Sequence, residues 1–493
     1  MKLRALMAQL DCTYRGCGPE DDVGEVLTDS RRAAAGDLFI AVRGSARDGH
    51  DFVPGVHNAG GIALVERGVE LGSVGPVVEV ADIARALPVV AGNRWGWPGR
   101  QLRLAGITGT NGKTTTAHLL AAILDAAGRP HARLGTTGNW LVDRHAPTGF
   151  TTPFPLELQG LLATAVHAGA TDAVMEVSSH ALDQARIDPL RYDAIALTSF
   201  SQDHLDYHPS MDAYFQAKLR LAQDYVRPGG VAVAPVDDLP QARAFLAAAR
   251  KAGASALRAS RGPDGDAEIR AREVTIDVDG TRAQIETPSG PFRLESPLVG
   301  TYNLDNAMVA TGLALGMGLP IDAIARGLAR GRAPGRLEPV TIEGVAGPAV
   351  YIDYAHTPDA VARALAALRP STRGRLVVVL GCGGDRDRAK RPRMAQAAVS
   401  GADWLYATSD NPRTEDPERI LDDMLAELGP GTHDRDADRA RTIARAVADA
   451  ADQDVVLVAG KGHEDYQVLG TTKIHFDDRE HAEAALRARL SRA

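Results

Sequence analysis

The sequence predicts an α/β protein of about three domains, the second and third built on parallel sheets. Three observations carry this. The chain has 493 residues, about three times the usual domain length. From Gln101 onward, apolar stretches of about five residues alternate with Ala- and Leu-rich amphipathic segments, the pattern of strand–helix–strand units. Two composition breaks, "NRWGWPGR" (Asn93–Arg100) and "GRAPGRLEP" (Gly331–Pro339), carry the Gly and Pro of connectors. The expected divisions are therefore 1–99, 100–332 and 333–493.

In the first division, "GDLFIAVRG", "GIALVER" and "GPVVEVAD" are short segments between Gly and charged turns, which suits a small mixed α/β domain. In the second, "LRLAGIT", "DAVMEV" and "AIALTSF" run into the polar clusters "GTNGKTT", "SSH" and "SQDHLDYH". The Ala-rich stretch at 229–260 is patterned as a helix. In the third, "RLVVVLG" precedes "CGGDRD", "WLYA" precedes "TSDNPR", and "DVVLVAG" precedes "KGHEDY". Pro412 biases Asn411 away from helix, so "ATSDNPRTEDP" reads as a strand ending in a turn, with a helix starting near Asp416-Pro417. Ligands of open α/β sheets bind beyond the carboxyl ends of the strands. Six polar clusters in that position are hard to attribute to solvated loops alone.

Hydrophobic content of 44% and charged content of 24% fit a soluble protein with substantial cores. A net charge of −8 argues against a nucleic-acid partner, which needs a clustered basic surface. Cys12, Cys17 and Cys382 make neither a disulfide framework nor a four-ligand zinc site, and a reducing cytoplasm fits best. Gln9 and Asp11 interrupt the first apolar run, and nowhere do 18 apolar residues run together, so neither a signal peptide nor a membrane span is expected.

"AGITGTNGKTTTAHLL" is a strand, a Gly-rich turn and a helix opening at Lys113-Thr114-Thr115. Backbone N–H groups of Gly109, Thr110, Asn111 and Gly112 and the helix N-terminus attract phosphate, Lys113 reaches the distal phosphates, and a Thr hydroxyl can hold Mg²⁺. The ordinary P-loop spacing would put glycine where Ile107 stands; the spacing here is G-x-x-G-x-x-G-K-T. ATP binding is expected. In "DNPR", the planar guanidinium of Arg413 suits a carboxylate or phosphate.

"GTNGKTT" in this register, with "EVSSHAL", "DHLDYH", "GTYNLDNAMVA", "PGRLE", "DYAHTPDA" and "GCGGDRD", resembles the Mur ligases of peptidoglycan synthesis. The resemblance runs along nearly the whole chain. It implies a nucleotide-sugar-binding domain, a central P-loop-type ATPase sheet and a C-terminal Rossmann-like sheet. "DNPRTEDP" and "GKGHEDYQ" resemble the members that add the third residue of the stem peptide. The expected substrates are then UDP-MurNAc-L-Ala-D-Glu, meso-diaminopimelate and ATP, with Mg²⁺, in a cytoplasmic monomer. A carboxylate would take the γ-phosphoryl group of ATP, and the amine would displace phosphate from the acyl phosphate. Both steps gather negative charge, so cationic groups and metal should dominate catalysis.

Glu176 and His204 stand at strand ends, where hard-oxygen or imidazole ligands are needed; the resemblance assigns both to Mg²⁺, with Thr114 a third candidate. A single lysine on an amphipathic helix is normally solvated, yet by similarity Lys218 is the one that reacts with CO₂ to become a metal ligand. Its amine must be neutral to react. By the same resemblance Asn303 lies near adenine, while Arg336 and Asp353 approach ATP. Ser30, Ser45, Ala46, Arg47, Thr151, Thr152, Ser178, Gln184 and Arg186 would meet the sugar-nucleotide peptide. Phe150 and Ser199 replace an Asn common at each place in the family, which puts a side-chain hydrogen bond in doubt.

The resemblance also assigns Arg386, Asp410, Asn411, Pro412, Arg413, Gly460 and Glu464 to diaminopimelate. Arg413 can pair with the carboxylate that diaminopimelate has and lysine lacks, and it repels lysine's ammonium. Alternatives are a lysine-adding relative, which Arg413 disfavours, and folylpolyglutamate synthetase, which explains neither "DNPR" nor the first domain. A nucleotide-driven binding module needs no amino-acid site. An inactive scaffold would not need Lys113, Glu176, His204 and Lys218 together.

Overall fold

The computed structural model describes residues 1–44, 47–262, 267–277, 280–342, 344 and 347–490. The chain forms two compact units, one of Met1–Lys113, Leu124–Arg258 and Gly312–Pro320, the other of Thr114–Ile123, Ala259–Thr311 and Ile321–Ala493.

The first unit holds two sheets. The N-terminal one contains β1 (Cys12–Arg15), β2 (Val26–Leu27), β3 (Leu38–Ile40), β4 (Ile62–Glu66) and β5 (Val77–Val80), in the order β1-β5-β4-β3-β2. Only β1 is antiparallel to its neighbour. The helix Ile83–Trp95 adds Ile83, Leu87 and Val90 to the core with Leu3, Leu64 and Val78. Asp82 caps it by accepting from Arg85 N, and Gly96, at φ 68°, ends it. Asn93 ties the chain start to this helix by donating to the carbonyls of Leu6 and Ala8.

The second is part of an 11-stranded sheet, here β6 (Arg103–Thr108), β7 (His131–Gly135), β8 (Gly138–Leu141), β9 (Arg144–Ala146), β10 (Asp172–Glu176), β11 (Tyr192–Leu197), β12 (Val226–Pro235) and β13 (Ser255–Ser260), in the order β13-β12-β11-β6-β10-β7-β8-β9. The strand β6 lies parallel between β10 and β11. All of it but Arg103 is buried, as expected of a parallel strand covered on both faces. The helix expected over 229–260 is confined to Gln241–Lys251, because the β-branched run at Val231–Val233 joins β12. Alanine enrichment alone does not distinguish a helix from a buried strand.

In the second unit, β14 (Ile269–Asp277), β15 (Gly280–Glu286) and β16 (Phe292–Ser296) form an antiparallel meander. Alternating burial in Phe292–Ser296 marks it, a signal the sequence reading did not use. The helix Ile321–Arg330 lies against the middle of the phosphate-loop helix: a Cβ at Gly327 would sit 2.4 Å from Ile123 Cα, and one at Gly331 2.6 Å from a Leu119 methyl.

The last sheet contains β17 (Glu338–Val340), β18 (Ala349–Asp353), β19 (Leu376–Cys382), β20 (Trp404–Ser409), β21 (His433–Arg435) and β22 (Val455–Ala459), in the order β17-β18-β22-β19-β20-β21. All neighbours but β17 are parallel. Leu376, Val378 and Leu380 of β19 face one core, Val377 and Val379 the other, which is why "LVVVL" shows no alternation. The strand expected before "DNPR" is β20, and the helix after it is Pro417–Leu425, capped by Asp416. A hairpin, β23 (Tyr466–Leu469) and β24 (Thr472–His475), follows β22. Among the described residues no helix is long and apolar enough to cross a membrane.

Candidate active site

The phosphate-loop residues leave β6 in a conformation that requires glycine twice. Gly109 has φ 150° and Gly112 has φ 87°, and a Cβ on Gly109 would meet Thr198 Oγ1 at 2.0 Å. Thr198 and Ser199, at the end of β11, donate their hydroxyls to Asn111 O at 2.6 and 2.9 Å, and Asn111 N donates to Ser199 Oγ at 2.8 Å. The Ser199 hydroxyl thus bonds both the N–H and the carbonyl of Asn111 in the phosphate loop. Thr110 Oγ1 meets Tyr214 Oη at 3.1 Å and donates to Ser201 O. Lys113 Nζ reaches back to the carbonyls of Gly109 and Thr110, both at 2.9 Å.

Lys218 is not solvated. It lies in the helix Met211–Arg220, fully buried, with Nζ donating to Gly109 O at 2.9 Å and lying 4.4 Å from the centre of the Tyr214 ring. Burial holds its pKa well below the ordinary lysine value, and the charge of Lys113 pushes the same way against Asp203. A π-helical turn, Leu221–Tyr225, follows directly.

Glu176 ends β10 and is buried; its carboxylate accepts from Thr136 N and Thr136 Oγ1 at 2.9 and 3.1 Å. Gly135 makes room, since a Cβ there would lie 2.2 Å from Glu176 Oε1. His204 adopts φ 53° and stands edge-on to His180, with ring centres 4.9 Å apart. Burial lowers its pKa; Asp203 opposes this, while Lys113 and Lys218 reinforce it. Burial, helped by the neighbouring His204 and His208, takes His180 down to about 4. Among the described residues no group of three or more His, Cys, Asp or Glu side chains is placed to hold a metal. The donors nevertheless suit Mg²⁺: Glu176 offers a buried hard oxygen, and a lowered pKa keeps His204 in its ligating form.

Five of the residues expected at the peptide gather beside Glu176. Thr151 Oγ1 meets Thr136 Oγ1 at 3.1 Å, whereas Thr152 is buried, donating to Glu176 O and accepting from Ser178 N. Ser178 caps the short helix Ser179–Asp183. Arg186 donates to Thr152 O and twice to Gln184 Oε1. Its guanidinium lies 5.3 Å from the ring centre of Phe150 and 3.9 Å from that of Phe154. Phe150 thus offers a ring face to Arg186 where the family commonly has an Asn. Ser30 begins the turn Ser30–Arg32, and Arg47 is exposed. Ser45 and Ala46 lie outside the described residues.

In the second unit, Thr114 Oγ1 accepts from Arg336 Nη2 at 3.4 Å, and Asn303 is buried, donating to Val299 O and accepting from Asn306. Arg336 lies 4.7 Å from the centre of the Tyr354 ring. Asp353, at the end of β18, accepts from Leu337 N, and burial pushes its pKa up to about 6 against the pull of Arg336.

The loops after β19, β20 and β22 meet around Asn411. Its amide donates to Glu464 at 3.0 Å, while its oxygen accepts from Lys461 Nζ and Val468 N at 3.1 and 3.0 Å. Arg413 adopts φ 52°, donates Nη1 to Gly384 O at 2.8 Å, and is held to the hairpin through Val468 O and Gly470 N. Pro412 O abuts Gly384, where a Cβ would come within 1.9 Å, and Gly460 at φ 117° passes Asp410. Burial and Asp410 raise the Glu464 pKa, with Lys461 opposing. Arg386 is exposed, with Nη1 donating to Asp385 O.

Sequence reasoning missed Lys461 and the pair Arg439–Asp478. Lys461 is buried between Asp410 Oδ1 and Glu464 Oε2, at 3.8 and 3.6 Å. Its place in the quoted "GKGHED" was the available signal; for Arg439 and Asp478 nothing local distinguishes them from surface charges.

A strand-borne phosphate loop on one sheet and a cluster of Asp410, Arg413, Lys461 and Glu464 at the strand ends of another suit an ATP-dependent ligase. Residues 107–314 match the Mur ligase middle domain, and 335–462 match the Mur ligase glutamate ligase domain. The UDP-N-acetylmuramoyl-L-alanyl-D-glutamate–2,6-diaminopimelate ligase of Gloeobacter violaceus is 44% identical over 498 residues, covering 100% of this chain and 99% of the relative. The protein of the same name from Synechococcus sp. (strain WH7803) is 46% identical, covering 94% of this chain and 95% of its own. A solved structure with that title superposes with a TM-score of 0.70 at 30% identity, covering 99% of both chains. The chain belongs to the Mur ligase family.

Proposed function

We propose that this protein joins meso-diaminopimelate to the D-glutamate of UDP-MurNAc-L-Ala-D-Glu, converting ATP to ADP and phosphate, as a step of peptidoglycan synthesis. The observation that carries the specificity is Arg413. Its guanidinium is fixed against the Gly384 carbonyl beside a cradle of Asp410, Asn411 and Glu464. That arrangement offers a planar cation to a carboxylate and two carboxylates to an ammonium. Arg386, Pro412 and Gly460 line the same loops.

The phosphate loop and Lys113 hold the phosphates and stabilise the charge that develops as the γ-phosphoryl group passes to the glutamate carboxylate. The amine of diaminopimelate then attacks the acyl carbon, losing a proton as the C–N bond forms and phosphate departs. Thr151, Ser178, Gln184 and Arg186 orient the peptide. Arg336, Asp353 and Asn303 are assigned to ATP, and Ser30 and the loop through Arg47 to uridine. Glu176, His204, Thr114 and a modified Lys218 would hold Mg²⁺, which supplies charge neutralisation at the phosphates. The neutral Lys218 amine can add CO₂, forming an N–C bond and releasing one proton to give a carbamate. The domains run 1–99, 100–332 and 333–493, and the protein works as a cytoplasmic monomer.

The test is phosphate release with ATP, Mg²⁺ and UDP-MurNAc-L-Ala-D-Glu, comparing meso-diaminopimelate with L-lysine. Release should require diaminopimelate, stop on chelation of Mg²⁺, and be lost in Arg413→Ala. Equal turnover with lysine would remove the specificity; turnover indifferent to either amino acid would remove the ligase.

A further inference from the structure

The strands β20 and β22 carry the two loops that meet around Asn411, yet they are not neighbours: β19 lies between them. Leu380 and Cys382 of β19, paired with Ala459 and Ser409, both belong to one core, and between them stands Gly381, where a Cβ would lie 2.7 Å from Asp410 N. A guanidinium spans the gap. Arg439 donates Nη1 to Ser409 O at 3.2 Å and Nη2 to Ala459 O at 3.0 Å, the last residues of β20 and β22. Asp478 holds that guanidinium in place, accepting from Nε at 2.7 Å and from Nη2 at 2.6 Å. Both side chains are completely buried, and each opens a helix, Arg439–Asp449 and Asp478–Leu490.

We propose that Arg439 and Asp478 are positioning residues that set the spacing between the Asp410–Arg413 turn and the Gly460–Glu464 loop, and through it the selectivity for the amino acid. This rests on the functional reading above. A buried ion pair is weak evidence for stability, because apolar residues of similar volume often replace one without loss. Position is what the pair supplies. Only a planar, multi-donor cation can bridge two carbonyls while a carboxylate fixes its remaining edge; an ammonium is a single point charge. The margin is small, since a Cβ at Gly460 would lie 2.8 Å from Asp410 Oδ2.

The experiment compares the full-length protein with Arg439→Met/Asp478→Leu, which removes both charges together, and with Arg439→Lys. Steady-state KM is measured for meso-diaminopimelate, ATP and the sugar-nucleotide peptide, with folding checked by near-ultraviolet circular dichroism. The double variant should stay folded while KM for diaminopimelate rises at least tenfold, the other two KM values stay within twofold, and preference over lysine falls. Arg439→Lys should move the same way. An unchanged diaminopimelate KM in a folded variant overturns the proposal, as does a parallel rise in all three. Should the double variant not fold, Arg439→Lys decides on the same readout; if neither folds, the pair is structural and the proposal falls. Absence of diaminopimelate-dependent turnover in the unaltered protein would instead sink the functional reading.

Discussion

Arg413 combines a left-handed backbone with a guanidinium held by the carbonyls of Gly384 and Asn411, so the side chain is aimed before any ligand arrives. Arg413→Lys keeps the charge but not the planar fork; kcat/KM for diaminopimelate should fall by about 100-fold, roughly 3 kcal/mol, while KM for ATP holds. Asp353 makes a pH prediction. Its folded pKa of about 6 exceeds the ordinary 3.8, so between these values the folded state keeps a proton that the unfolded chain has released. Stability should therefore fall as pH rises through that window, by roughly 3 kcal/mol at most. Asp353→Asn should flatten that part of a denaturation-versus-pH series; an unchanged slope would assign it to another group. At this scale the placement of Lys113 at the opening of a helix and of Glu176 at the end of a strand was legible in the sequence. The sequence pointed to Lys218 only through the resemblance, because the buried setting of that lysine depends on contacts over a hundred residues away.

The elements matter because many of the site residues sit just past the end of a strand, while Lys218 and Asn303 are carried by helices. The conformations at Gly109 and Gly112 let the phosphate loop pass under Thr198, and Gly109→Ala would add a carbon 2.0 Å from its hydroxyl. KM for ATP should rise more than tenfold in that variant, as read by nucleotide titration. The hairpin over "DNPR" acts through the backbone: Val468 N serves Asn411 Oδ1 and Val468 O serves Arg413 N. Val468→Pro removes the first of these bonds and should raise KM for diaminopimelate without affecting ATP. Parallel strands were legible from their continuous apolar runs and the turn chemistry after them. The meander of β14–β16 was not, because half-buried antiparallel strands look like polar loops unless alternation is counted. The Arg439–Asp478 pair escaped for a different reason: its meaning lies in strand order, and sequence does not display which strands are neighbours.

Over the whole molecule, the α/β class followed from apolar strands alternating with helical segments. The division into compact units did not, because Thr114–Ile123 belongs with segments found far later in the chain. Sedimentation should show one species near 52.1 kDa, as expected of a monomer. The close seat of Gly327 and Gly331 on the phosphate-loop helix also bears on synthesis. A ribosome makes that helix some two hundred residues before the helix that backs it. Until then the strip of it that meets Gly327 and Gly331, around Leu119 and Ile123, waits for its cover, and the nascent chain carries a surface open to chaperones and proteases. Chains ended at Pro320 should bind no nucleotide and should be cleaved first within Thr114–Ala126, so the last part of the nucleotide site to become dependable is among the first to be translated.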